Sequence, residues 1–109
     1  MSSVFPFEEF QKLDIRIGRI VDAKQVTGSK KLLELRINLG EKISTAISGI
    51  AEFYNPEELK GKEIAVITNL PPRKIFGLQS EVMILAAYDN KNLAYLRPEK
   101  DVPEGTKVS

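Results

Sequence analysis

The residues of this chain best suited to chemistry stand together in one stretch, NLPPRKIFGLQSEVMILAA, residues 69–87. Arg73 and Lys74 supply positive charge, Asn69 an amide and Ser80 a hydroxyl, and no acidic residue lies between Ile64 and Ser80 to offset the charge. Such groups contact phosphate and sugar oxygens of a nucleic-acid backbone. The same residues would also suit an ordinary solvated hairpin loop, so both readings stand at this level. A second basic pair, Lys30 and Lys31, follows the turn Thr27-Gly28-Ser29. From Lys24 to Arg36 the charges are Lys24, Lys30, Lys31 and Arg36 against Glu34 alone, whereas Glu52, Glu57 and Glu58 cluster elsewhere. A basic face and an acidic face are expected.

What is missing narrows the chemistry. The 109 residues contain no cysteine and no histidine, which removes disulfides, thiolate nucleophiles, most zinc sites and the usual general base. No carboxylates form a recognisable acid/base pair, so neither catalysis nor a cofactor is expected. A net charge of +1 is too weak for the whole surface to bind nucleic acid, and any such role must rest on segregated charge. No apolar run approaches the roughly 18 residues of a membrane span, and no leader-like start is visible, so a cytoplasmic location is expected. Length and 42% apolar content fit one domain over residues 1–109.

The elements that must position these residues are mostly strands. EIAVITNL (63–70) and SEVMILAAY (80–88) read as two buried strands around the basic loop, the first ending at Leu70 because Pro71-Pro72 cannot continue a ladder. DIRIGRIVDAKQV (14–26) reads as a long strand bulged at Gly18, with Ile15, Ile17, Val21 and Ala23 on one face, Arg19 the polar intruder and Ile20 opposite. In residues 26–41, Leu33, Leu35, Ile37 and Leu39 alternate inward with Glu34, Arg36 and Asn38, forming a hairpin whose tip carries the two lysines. ISTAISGI (43–50) is a short strand of small residues. Asn55-Pro56-Glu57-Glu58 begins a helix that Gly61 ends. An amphipathic N-terminal helix over residues 2–13 places Phe7 and Phe10 either over a barrel end or against a second subunit. LAYLRPE and the tail from Asp101 add short strands. One helix between the third and fourth strands is the order of the OB-fold, a five-stranded Greek-key barrel, and the class is therefore mainly all-β.

LDIRIGRIVDAKQV, KKLLELRINLGE and SGIAEFYNPEELKGKEIAVITNLPPRKIFGLQSEVMILAA resemble the tRNA-binding domain family. That family includes C-terminal domains and small subunits of methionyl-tRNA synthetases, free-standing tRNA-binding proteins and CsaA-type export chaperones. The resemblance covers residues 10–109 and implies an OB-fold extended at both ends, a homodimer built with those extensions, and binding of tRNA by shape. The positions it assigns to binding are Lys31, Asn69, Arg73, Lys74, Ser80 and Met83, with Lys30 beside them at the hairpin tip. Met83 offers adaptable apolar surface in that role, although a methionine inside an apolar run otherwise reads as core. Ser80-Glu81-Val82-Met83 departs from the S-x-G-M of synthetase-type members toward the chaperone type, and Glu81 places negative charge near the phosphate path. Two functions follow from the resemblance: a free-standing homodimer serving as beta subunit or trans-acting partner of methionyl-tRNA synthetase, or a CsaA-type chaperone for unfolded polypeptides.

Overall fold

Eleven consecutive residues form the strand on which the fold is built, β1 (Ile15–Gln25). In the computed structural model, which describes residues 3–109, β1 pairs antiparallel with β2 (Leu33–Asn38) on one side and with β4 (Glu63–Ile67) on the other. The main path runs β3-β2-β1-β4-β7, where β3 is Ile43–Ser48 and β7 is Met83–Ile84, and β10 (Lys107–Val108) adds to the start of β1. Five strands in this order, with the single-turn helix α2 (Pro56–Leu59) between the third and fourth, form the nearly closed barrel expected of an OB-type fold. A further single turn, α1 (Phe7–Phe10), precedes β1, and no helix among the described residues is long and apolar enough to cross a membrane.

The β2 alternation is as the sequence dictates: Leu33, Leu35 and Ile37 are fully buried and Leu39 nearly so. They pack with Ile20, Ala23, Ile50, Leu59, Ile64 and Val66 into one core. β1 differs from expectation. Its register breaks between Ile20 and Asp22, so the irregularity lies at Val21 and not at Gly18. The extra residue turns Val21 outward, 45% exposed, and leaves Ile20 and Ala23 on the core side. Ile15 and Ile17 are buried outside the main core cluster. Gly18 instead serves close packing. A Cβ there would lie 2.8 Å from Leu39 Cδ2 and closer still to Ile37 Cγ2, so β2 side chains cross the strand where only hydrogen fits. Arg19, the polar intruder, is neutralised by Glu104 at 2.9 Å and buried Glu63 at 3.5 Å.

Capping holds α2. Asn55 Oδ1 accepts from the Glu57 N–H at 3.0 Å, and Glu58 Oε1 accepts from the Asn55 N–H at 2.8 Å. Leu59 on this turn is fully buried, and Gly61, at φ +88°, ends the helix in the left-handed region.

The run 80–88 is not one strand. It divides into the end of β6 (Leu78–Ser80), β7, and β8 (Ala86–Tyr88), which pairs with β9 (Leu93–Tyr95). β4 likewise ends at Ile67, three residues short of Leu70, because Thr68 and Asn69 turn their bonding toward the N-terminal segment.

Candidate nucleic-acid interface

The basic loop is itself a small hairpin. β5 (Arg73–Ile75) pairs with β6 in the register Arg73↔Ser80, Lys74↔Gln79 and Ile75↔Leu78. The two turn residues, Phe76 (φ 54°) and Gly77 (φ 80°), both take the left-handed region that a two-residue hairpin of right-handed twist requires. Gly77 adopts it without strain, whereas Phe76 carries its ring there, 60% exposed. That ring lies over Gly28 of the β1–β2 tip, since a Cβ on Gly28 would stand 3.5 Å from Phe76 Cε2. The two basic segments of the sequence are thereby side by side.

Ser80 and Glu81 fasten this hairpin to β3 and close the barrel seam. The Ile47 N–H donates to Ser80 Oγ at 3.0 Å, the Glu81 N–H donates to Thr45 O at 2.8 Å, and the Thr45 N–H donates to Glu81 Oε1 at 2.8 Å. Side-chain oxygens here stand in for backbone acceptors of a missing strand. Ser80 is 7% exposed and also donates to Val82 O, so its hydroxyl is committed to the fold. Asn69 is exposed, yet its Nδ2 donates to Lys12 O at 2.7 Å and its Oδ1 accepts from the Asp14 N–H at 2.8 Å. Each end of the amide ties the N-terminal segment to the end of β4.

Two adjoining clefts open beside the hairpin. One of about 400 Å³ is lined by Leu70, Pro71, Arg73, Ser80 and Met83; the other, about 470 Å³, by Lys31, Glu52, Phe53, Met83 and Tyr88. Gly49, Met83 and Ile84 belong to both, so the clefts form one continuous surface. Met83 is 48% exposed at its centre, which removes the core reading of that residue. Lys74 does not line it: neighbouring strand residues point to opposite faces, so Arg73 faces the cleft and Lys74 the outer side of the hairpin. Lys30 also stands outside the lining, exposed at the tip next to Lys31. The structure thus brings Lys31, Arg73, Ser80 and Met83 to one surface and sets Asn69, Lys74 and Lys30 around it.

Lys12, Arg16, Arg19, Lys24, Lys60 and Lys107 are engaged by carboxylates, whereas Lys30, Lys31, Arg73 and Lys74 enter no salt bridge among the described residues, and neither do Arg36, Lys42, Lys62, Lys91, Arg97 and Lys100 elsewhere on the chain. Asp14 shows the structural kind: a hydrogen bond from Arg16, then one from Thr68, hold its carboxyl below the ordinary value. Burial pushes the Tyr95 phenol up, where it stacks on Tyr54 at 4.5 Å. Reasoning from sequence missed Phe53 and Tyr88, which meet edge to face at 5.9 Å in the cleft. Their separation of 35 positions hides the pairing.

The hairpin surface with its four cations lies on an OB-type barrel, and the family profile described as "Putative tRNA binding domain" matches residues 15–107. The chain belongs to this tRNA-binding domain family. As a tRNA-binding domain it is 54% identical over 101 residues to the methionine–tRNA ligase of Methanospirillum hungatei and 52% to that of Archaeoglobus fulgidus. These alignments cover 93% of this chain and 15% of each ligase, so the domain spans a small part of those relatives. Among solved structures, a MetRS related protein from Pyrococcus horikoshii superimposes with a TM-score of 0.92 at 29% identity, covering 99% of this chain and 100% of that one. The chaperone CsaA from Bacillus anthracis gives 0.89 at 33% identity, covering 98% and 100%.

Proposed function

We propose that this tRNA-binding domain is a non-catalytic cytoplasmic module that binds tRNA through the surface between the β5–β6 hairpin and the β1–β2 tip, and that it acts as a homodimer in trans to methionyl-tRNA synthetase. The observation that carries the reading is the grouping of four cations outside any salt bridge among the described residues, Lys30, Lys31, Arg73 and Lys74, on two touching hairpins. Lys31 and Arg73 neutralise phosphates from within the cleft, and Lys30 and Lys74 extend the basic rim. Met83 meets a ribose or base, and Ser80 and Asn69 hold the hairpin and the β4 end in place. Dimer formation is supported by Phe5 and Phe7, 66% and 65% exposed before β1. Two such faces in one dimer would raise avidity, because the second contact is intramolecular once the first has formed.

The test for the partner is aminoacylation by a methionyl-tRNA synthetase catalytic chain lacking such a domain, with this protein added. A fall in KM for tRNA at unchanged kcat is expected; an unchanged KM contradicts the trans-acting role. A chaperone reading is favoured by two observations, the likeness to CsaA over the full length of that chain and the apolar half of the cleft. Under it, an unfolded apolar peptide binds with little dependence on salt.

A further inference from the structure

The apolar half of the cleft has features that phosphate contacts do not use. Tyr88 is 58% exposed, meets Phe53 edge to face, and lines the 470 Å³ cleft with Met83, Leu93, Lys31 and Glu52. Glu52 enters no salt bridge among the described residues and, when ionised, can only accept hydrogen bonds. Its charge repels phosphate while that of Lys31, in the same cleft, attracts it, so a phosphate here settles on the lysine. The remaining lining includes two aromatic rings and a thioether, which suit a flat group without charge. A nucleobase is such a group: its π-face stacks on Tyr or Phe whatever its identity, and a methionine adapts to its edge. A base inside a duplex already has both faces stacked, so only an unpaired one can enter. The cleft volume falls in the range of small-ligand pockets, roughly 300–1,000 Å³, enough to receive a nucleotide.

We infer that Tyr88, with Phe53 and Met83, forms a stacking pocket for an unpaired nucleobase of the bound RNA, whose phosphate lies on Lys31. This rests on the tRNA-binding reading and adds to it. Recognition then has two parts, one to backbone charge and one to a single-stranded nucleotide.

The experiment compares an RNA hairpin bearing a four-nucleotide 3′ single strand with the same hairpin made blunt, using the full chain, Tyr88→Ala and Tyr88→Phe. The expected result is that the tail tightens binding by the native protein, that Tyr88→Ala loses at least about fivefold on the tailed hairpin and nothing on the blunt one, and that Tyr88→Phe retains the gain. If Tyr88→Ala lowers the thermal midpoint, Tyr88→Leu, which keeps apolar bulk without a π-face, takes its place. Equal binding of tailed and blunt hairpins by the native protein, or an unchanged tail effect in the variant, overturns the pocket and leaves the backbone reading intact. Failure of the native protein to bind either hairpin or tRNA overturns both. An unfolded apolar peptide whose binding is lost in Tyr88→Ala while RNA binding is unchanged would assign the pocket to polypeptide and overturn the inference.

Discussion

At the scale of single residues, the two kinds of polar side chain in this site predict opposite outcomes. Lys31 is exposed and without a carboxylate partner, so Lys31→Ala should leave stability unchanged and weaken tRNA binding by about 1 kcal/mol, reducing the salt slope by about one. Filter binding at several salt concentrations measures both, and unaltered affinity and slope would remove Lys31 from the interface. Ser80 is buried and bonded, so Ser80→Ala leaves the Ile47 N–H without its acceptor and should cost about 1–3 kcal/mol of stability in urea unfolding. A variant as stable as the native chain would show that the seam does not need this hydroxyl. The distinction is only half legible in the sequence. A basic residue in a loop without acids announces an exposed charge, but a serine at the end of an apolar run looks the same whether it faces solvent or a neighbouring strand's N–H. Asn69 is opaque for the same reason, its partners Lys12 and Asp14 being more than 50 positions away.

At the scale of elements, periodicity carries β2, since a strand with one face in the core must alternate, and the Asn55-Pro56 cap carries α2. Periodicity fails where a strand changes partners. The bulge at Val21 exchanges the faces of β1, and residues 78–88 pass from the hairpin to the barrel and then to β8 without losing apolar character. Gly18 reads in the sequence as a bend and is a crossing point. Gly18→Ala should therefore act by overpacking against Ile37 and Leu39, at a cost of roughly 1–3 kcal/mol. In thermal melting a drop of several degrees is expected for a chain of this size, and an unchanged midpoint would mean that β2 shifts freely to admit the methyl.

At the scale of the whole molecule, carboxylates paired within the fold set its response to acid. Hydrogen bonds from Arg16 and Thr68 lower the Asp14 carboxyl, and a hydrogen bond from Arg19 lowers that of Glu104. A group whose folded value is depressed contributes stability that is present above its unfolded value and lost as pH falls toward the folded one. Stability should thus decline below about pH 4, and Asp14→Asn should flatten that decline; an equal decline in the variant would rule out Asp14 as a source. Above that range Asp14 and Glu104 are ionised and paired with Arg16 and Arg19. The most direct measurement of the central claim is a titration of the purified protein with deacylated tRNA at two salt concentrations, with an unfolded apolar peptide as a parallel ligand. Tight tRNA binding that weakens steeply with salt, in proportion to the phosphates neutralised, is the predicted result. Negligible tRNA binding together with peptide binding indifferent to salt would contradict it.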